Sequence, residues 1–141
     1  MTQKITPYLL YEDCAAALDW LETAFGFKER LRFVGQDGGV THAEMEFDGA
    51  TIMMGDPGGD FQSPRHGGYT GAQVSVLVDD VEAHYARAEA AGAEIVNEPA
   101  DQEYGDRRYD AKDLEGHLWS FGQHVRDVAP EEWGAQVAVE A

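Results

Sequence analysis

The sequence Ile5-Thr6-Pro7-Tyr8-Leu9-Leu10-Tyr11-Glu12-Asp13 is an extended apolar run that ends in an acidic pair, and a helical pattern follows it as far as Gly26. The run Ala72-Gln73-Val74-Ser75-Val76-Leu77-Val78-Asp79-Asp80 has the same layout, and its helical pattern ends at Gly92. Gly26 and Gly92 follow Asp13 and Asp79 by the same number of residues. Repetition of a supersecondary unit in a short chain predicts two copies of one fold, with a ligand between them.

Each helical pattern has one apolar side, which predicts a short helix lying on a sheet. Three strand patterns follow each helix, separated by turn sequences such as Asp37-Gly38-Gly39 and Asp48-Gly49. The predicted strands are Phe27–Val34, Val40–Phe47 and Ala50–Met54 in the first half, and Glu94–Asn97, Arg107–Ala111 and His117–Phe121 in the second.

The pattern therefore predicts an α+β fold of two tandem βαβββ units within one domain, residues 1–141. The segment between the units is rich in Gly and Pro, which favours a flexible linker or lid. The predicted boundaries are about 4–55 for the first unit, 56–70 for the linker, 71–124 for the second unit and 125–141 for a C-terminal tail.

Composition restricts the partners. The chain has 10 Lys and Arg against 27 Asp and Glu, a net charge of −17 that repels nucleic acid and anionic membranes. The single cysteine, Cys14, cannot form an internal disulfide, and the N-terminal residues lack the apolar stretch of a signal peptide or membrane span. We therefore expect a cytoplasmic protein that binds neither nucleic acid nor membrane.

Several local strings carry a family resemblance. Tyr11-Glu12-Asp13 leads to Phe25-Gly26-Phe27, Val78-Asp79-Asp80-Val81 leads to Ala91-Gly92-Ala93, and the last strand is entered through Asp113-Leu114-Glu115-Gly116-His117-Leu118-Trp119-Ser120. Together they resemble the glyoxalase, bleomycin-resistance and extradiol-dioxygenase (vicinal oxygen chelate) superfamily over residues 4–124, with Leu114 where the family usually has Pro. The last string, with His42-Ala43-Glu44, is most similar to the PhnB-like branch. The resemblance implies a curved, mostly antiparallel sheet (the glyoxalase-like fold) and a homodimer.

Metal-using members of that superfamily hold a divalent ion with four side chains from four strands. The resemblance places these positions at Thr6 or Pro7, within His42–Glu46 where Glu44 or Glu46 is available, at Gln73 and at Ser120. One carboxylate and one amide are too few, because catalytic divalent sites usually have three or more protein ligands. We therefore predict no metal and no other cofactor. If a metal does bind, Glu44 and Gln73 are its expected ligands.

Alternation along the strands predicts a pocket without a metal. One sheet face collects polar side chains that are too numerous for a core, and a concave polar face of this kind favours a small-molecule site over a water-filled groove. Glu44 is a candidate general base or partner of a cationic group, and His42 a candidate proton relay. Arg107 and Arg108 point to opposite faces, so one of them reaches the site. The predicted ligand-binding residues are Tyr8, His42, Glu44, Gln73, Ser75, Arg108 and Ser120.

These observations leave three functional hypotheses. The first is a metal-independent small-molecule-binding or sequestering protein, similar to the drug-binding members that act as dimers with ligand in crevices between subunits. Its acidity would suit a cationic or metal-chelating drug. The alternative is a lyase, isomerase or dioxygenase that uses Zn, Ni, Mn or Fe, and the third is a purely structural dimer or accessory domain. Whether the two units close around a pocket within one chain or between two chains stays open.

Overall fold

The computed structural model describes residues 3–139, so residues 1, 2, 140 and 141 of the predicted domain lie outside the described part. The predicted α+β fold of two βαβββ units is confirmed. The first unit contains β1 (Tyr8–Leu10), α1 (Cys14–Phe25), β2 (Lys28–Val34), β3 (Val40–Phe47) and β4 (Ala50–Gly55). The second contains β5 (Gln73–Leu77), α2 (Val81–Ala90), β6 (Glu94–Asp101), β7 (Asp106–Lys112) and β8 (Leu118–His124). Short 3-10 helices span Pro64–His66 and Pro130–Trp133.

Both helices begin and end where the sequence signals predict. The side chains of Asp13 and Asp80 accept hydrogen bonds from the backbone amides three residues later, at 3.0 and 3.1 Å. Such N-caps satisfy donors that have no partner inside the helix. At the other end, Gly26 has a φ of 82° and Gly92 a φ of 90°, a left-handed conformation that side chains other than glycine rarely adopt.

The predicted curved sheet consists of two four-stranded sheets, one per unit. Their strand orders are β1-β4-β3-β2 and β5-β8-β7-β6. In each unit the first strand pairs in parallel with the last, and the remaining pairs are antiparallel. The same order in both sheets confirms that the chain contains the same unit twice.

The two sheets share one hydrophobic core. Met45 lies under α1 on the first sheet, and Tyr109, Trp119 and Phe121 lie on the helix side of the second, all fully buried. The ring of Phe25, at the end of α1, contacts Trp119 and Phe121 of the other unit at centroid distances of 5.4 and 4.6 Å. The helix-bearing sides of both sheets therefore face the same core. We call the uncovered sides the first open face (β1–β4) and the second open face (β5–β8).

Side chains of α2 complete the end of α1. Arg87 donates from Nε to the Thr23 carbonyl at 2.9 Å and from Nη2 to the Glu22 carbonyl at 2.8 Å, and His84 Nε2 lies 2.9 Å from the Phe25 carbonyl oxygen. The last carbonyls of a helix have no partner within it and carry partial negative charge. Because α1 has no basic residue in its own last turn, the second unit supplies these donors and docks on the first.

The sequence predicts a flexible linker between the units, and in the structure this segment is held at defined points. Ser63 is fully buried and donates from its amide and its hydroxyl to Oε2 of Glu12, at 2.9 and 2.6 Å. The amide of Arg65 donates to the Glu115 carbonyl at 2.9 Å. The Glu115 carboxylate in turn accepts from the amides of Glu12 and Asp13, at 2.7 and 2.9 Å. The linker thus forms part of the junction between the units.

No helix among residues 3–139 combines the length and the apolar character that crossing a bilayer requires.

Candidate functional site

The predicted site residues fall into two groups, one on each open face. Tyr8, His42 and Glu44 lie on the first open face. Gln73, Ser75, Arg108 and Ser120 lie on the second, where Ser75 pairs with Ser120 across β5 and β8. Polar contacts join Tyr8, His42 and Glu44 in the first group, and Ser75, Arg108 and Ser120 in the second. The two groups approach each other through Tyr8 and Gln73, which share a groove of about 230 Å³ whose other lining residues include Leu10, Tyr69, His117 and Leu118.

The first open face carries a chain of polar contacts. Tyr8 Oη lies 2.9 Å from Nδ1 of His42, and Nε2 of His42 lies 3.5 Å from Oε2 of Glu44. The other Glu44 oxygen, Oε1, accepts from Arg30 Nη1 at 2.7 Å. A phenol, an imidazole and a carboxylate in this order can pass a proton along the face. Arg30 also pairs the charge of Glu44.

Sequence reasoning missed Arg30. The register of β2 against β3 shifts between Glu29 and Leu31, so Arg30 lies at an irregularity of the strand. A bulge changes the side on which the following side chains lie, and period-two alternation does not predict where one occurs. No signal in the sequence alone identifies this partner of Glu44.

Gly55 makes room for Tyr8. A Cβ atom at position 55 would lie 2.6 Å from Tyr8 Oη and 2.8 Å from a ring carbon, so any larger residue would displace the ring. Gly55 pairs with His42 in the sheet, which brings the phenol next to the imidazole. The contact between Tyr8 and His42 therefore depends on a glycine in the adjacent strand.

Large apolar side chains surround this polar chain. Leu31 and Phe33 lie opposite Glu44 and His42 on the neighbouring strand, and residues directly opposite each other share a face. Their exposed fractions are 41% and 63%. Exposed apolar side chains next to fixed polar groups are typical of binding surfaces.

The second open face is organised around Arg108. Its guanidinium donates from Nε to Ser120 Oγ at 3.0 Å, from Nη1 to Asp106 Oδ2 at 2.8 Å, and from Nη2 to Ser75 Oγ. Its side chain is 11% exposed. Asp106 was not among the predicted residues, although its position two before Arg108 on one strand places both on the same face. The guanidinium is therefore both fixed in position and paired in charge.

Arg107 has a different role. Its Nε donates to Glu82 of α2 at 2.6 Å, and its Nη1 lies 3.2 Å from Asp101. As expected for adjacent strand residues, one of the two arginines reaches the site face and the other does not.

The residues at the family's metal positions do not fit a metal centre within one chain. Glu44 and Gln73 lie on different sheets, and one Glu44 oxygen is bound by Arg30. Ser120 accepts from Arg108. Over the described residues 3–139, no three His, Cys, Asp or Glu side chains are grouped so that they could hold an ion.

Comparison with known proteins gives the family. The profile of the Glyoxalase/Bleomycin resistance protein/Dioxygenase superfamily matches residues 5–121. The uncharacterized protein Rv0887c of Mycobacterium tuberculosis is 38% identical over 133 residues, which cover 91% of this chain and 78% of the relative. Among solved structures, TioX from Micromonospora sp. ML1 is 39% identical with a TM-score of 0.73, over 88% of this chain and all of TioX (100%).

More distant structures share the fold. A PhnB protein from Bacillus cereus has a TM-score of 0.64 at 17% identity, over 86% of this chain and 99% of that chain. The fosfomycin resistance protein FosX from Listeria monocytogenes has a TM-score of 0.65 at 16% identity, over 94% and 98%. The matched profile, the repeated unit and the order of the strands agree, and this chain belongs to the Glyoxalase/Bleomycin resistance protein/Dioxygenase superfamily.

Proposed function

We propose that this protein binds a small molecule between the open faces of two copies of the chain, as a dimeric binding or sequestering protein without a resident metal. The observation that carries the proposal is that both open faces combine fixed polar groups with exposed apolar side chains. Each has an ordered polar cluster, around Glu44 or Arg108, next to exposed apolar side chains such as Phe33 and Leu77, which are 63% and 65% exposed. A single chain leaves both surfaces uncovered.

A second copy explains this exposure. Monomeric soluble proteins seldom leave large contiguous apolar patches in water, and closed dimers are the commonest way to cover them. In a twofold dimer, the first open face of each chain meets the second open face of its partner. The arrangement encloses two equivalent sites, each with the Tyr8 cluster on one wall and the Arg108 cluster on the other.

The paired charges indicate the chemistry of the ligand. Glu44 is bound by Arg30 at 2.7 Å, and Arg108 by Asp106 at 2.8 Å, so neither charge is left uncompensated. A charged ligand group would have to displace one of these partners. We therefore propose an uncharged ligand with an apolar or aromatic body and a few hydroxyl or carbonyl groups. The net charge of the chain led us to expect a cationic ligand instead. Net charge affects how a ligand approaches from a distance, whereas the paired groups determine which ligand groups fit at contact.

The family supports a drug as the ligand. The superfamily takes part of its name from bleomycin resistance, and FosX is described as a fosfomycin resistance protein.

We also propose a cytoplasmic location, where thiols stay reduced. The free thiol of Cys14 is compatible with it: the thiol is buried, and burial is the main cause that raises its pKa to about 12.

Two measurements test the proposal. Sedimentation is expected to show a dimer, and calorimetric titration with a panel of uncharged aromatic antibiotics is expected to find a ligand. Phe33→Asp and Leu77→Asp place a charge in the contact and are expected to give a folded monomer that no longer binds it. Val137→Asp is the control, since Val137 is also exposed, at 59%, but lies in the tail. A monomeric wild type that binds nothing in the panel would refute the proposal.

A second candidate is an enzyme, and the contacts among Tyr8, His42 and Glu44 favour it. Tyr8 would give its hydroxyl proton to a ligand oxygen, and His42 would return a proton to Tyr8. The expected reactions are those of lyases or isomerases, and the family's metal-dependent version would need Zn, Ni, Mn or Fe. Turnover of small carbonyl compounds, followed by NMR with and without each ion, tests this. Loss of turnover in Glu44→Gln with binding retained would favour the enzyme.

A further inference from the structure

The C-terminal segment crosses the turn between β6 and β7. The amides of Val125 and Arg126 both donate to the Gly105 carbonyl, at 2.8 and 3.0 Å. A Cβ atom at Gly105, whose φ is 103°, would lie 2.0 Å from the Arg126 carbonyl oxygen. Only glycine at this position lets the segment pass so closely. We call residues 125–133 the strap.

An aromatic contact holds the far end of the strap. The ring of Trp133 packs on that of Tyr104, with centroids 5.8 Å apart and planes at 59°. The two side chains are 40% and 39% exposed. Tyr104 precedes Gly105, so both attachment points lie on the same turn.

His124, the last residue of β8, links the strap to β7. Its Nδ1 lies 3.3 Å from Oδ1 of Asp106, and its Nε2 lies 2.7 Å from Oδ1 of Asp127 in the strap. Both ring nitrogens therefore face a carboxylate. Only the imidazolium carries a proton on each nitrogen and can donate to both, whereas the neutral ring must turn a lone pair toward one of them.

We propose that the strap is a pH-sensitive element, closed while His124 is protonated and loosened when His124 is neutral. The geometry requires the charged form for a complete bridge from Asp106 through His124 to Asp127. Loss of the proton breaks one of the two links, and the strap then keeps the Gly105 and Tyr104 contacts.

The carboxylates around His124 determine how the bridge depends on pH. Hydrogen bonds to Asp127 and then to Asp106 raise the pKa of His124 above its ordinary value, whereas desolvation lowers it. Because folding raises this pKa, the bridge is complete at pH values below the pKa of the unfolded chain, about 6.5. It is lost as the pH rises through the pKa of His124 in the folded protein. Arg108 shares the Asp106 carboxylate with His124, and Arg126 precedes Asp127 in the chain.

Asp106 connects the strap to the second open face. It accepts from Arg108 through Oδ2 at 2.8 Å and faces His124 through Oδ1 at 3.3 Å. If the proposed ligand site is correct, opening of the strap also changes the support of Arg108, and ligand affinity then depends on pH through His124. This consequence rests on the proposed function, whereas the strap itself does not.

Hydrogen exchange of the Val125 and Arg126 amides in the full-length protein tests the strap. Protection factors, corrected for intrinsic exchange, are measured from about pH 5.5 to about 8.5. We expect protection to fall about twofold to fivefold with rising pH, because the Asp127 side chain is fully exposed and exposed ion pairs contribute little to stability. The amide of Val78, which donates to the Gly122 carbonyl, is the internal reference for global stability.

Variants separate the bridge from a general effect of charge. Asp127→Asn and His124→Gln are expected to show low protection with no pH step, while Asp60→Asn, an exposed change of the same charge, retains the wild-type profile. The proposal would be overturned if protection in the wild type did not change with pH. It would also be overturned if Asp127→Asn kept the wild-type pH dependence of protection. Because no ligand is present, the outcome is independent of whether the protein binds one.

Discussion

The hydroxyl of Tyr11 donates to the carboxylate of Asp113 across 2.6 Å, and both side chains are fully buried. The two residues belong to different units. Asp113 also accepts from Trp119 Nε1 and from the amides of Glu115 and His117, each at 3.0 Å. A buried carboxylate is costly unless several donors surround it. This group therefore orders the turn before β8 and attaches that turn to the first unit.

We expect Tyr11→Phe to lower the free energy of unfolding by about 1.5–3 kcal/mol, the range for a hydrogen bond to a charged group. The remaining donors, Trp119 Nε1 and the amides of Glu115 and His117, still satisfy the Asp113 carboxylate and limit the loss. Urea unfolding followed by circular dichroism measures the change. Tyr85→Phe is the matched control, because the Tyr85 hydroxyl donates to Glu89 within α2 at an exposed position. Equal losses in both variants would contradict the role of Tyr11.

Helix caps and period-two alternation predict the helices, the strands and the orientation of side chains on the regular strands, but not on β2, where the register shifts. Ser75, Arg108 and Ser120 lie on one face because their strands are regular. The sequence did not predict that the polar residues divide between two faces, since that depends on Phe25 packing against Trp119 of the other unit. Contacts between units are set by tertiary packing, which local patterns do not encode.

Gly122 lies beneath the guanidinium of Arg108. A methyl group there would lie 2.2 Å from Nη1 and 2.6 Å from Cζ. We expect Gly122→Ala to lower the free energy of unfolding by about 1–3 kcal/mol, as overpacking usually does, and to move Arg108 away from Ser75. Urea unfolding and the NMR signal of Arg108 Nε measure the two effects. Gly71→Ala is the control, because its methyl group would meet only the exposed ring of Tyr69.

The junction between Glu12 and Ser63 predicts how the linker responds to a substitution. Glu12→Gln removes the charge that accepts from the Ser63 amide and hydroxyl and from His66. We expect cleavage by trypsin after Arg65 to become several-fold faster, because proteolysis requires local opening of this segment. Glu103→Gln, an exposed change of the same kind, is expected to leave the rate unchanged. An unaltered rate in Glu12→Gln would show that other contacts hold the linker.

Acid is expected to release the same segment. Hydrogen bonds from Ser63 and then from His66 lower the pKa of Glu12 to about 2. Because folding lowers this pKa, Glu12 contributes to stability at pH values above the pKa of the unfolded chain, about 4.3. The contribution is lost as the pH falls toward the pKa of Glu12 in the folded protein. Exchange protection of the Ser63 amide should therefore persist at pH 4 and fall as the pH approaches 2. Protection lost already near neutral pH would contradict this assignment.

His84 gives the opposite pH dependence from His124. Its Nε2 donates to the Phe25 carbonyl and its Nδ1 lies 2.6 Å from Tyr109 Oη, so both nitrogens are satisfied in the neutral ring. Burial is the main cause that lowers the pKa of His84. The unfolded chain then binds a proton more readily than the folded one, and the free energy of unfolding decreases as the pH falls below about 6.5.

Two substitutions should therefore change the pH dependence of stability in opposite directions. His84→Gln removes a group whose pKa is lowered by folding, so we expect a smaller decrease of the unfolding free energy between about pH 7 and about pH 5. His124→Gln removes a group whose pKa is raised by folding, so the decrease should become larger. Urea unfolding curves at a series of pH values measure both. A larger decrease in His84→Gln would contradict the neutral state of His84 in the fold, and a smaller decrease in His124→Gln would contradict the charged bridge of His124.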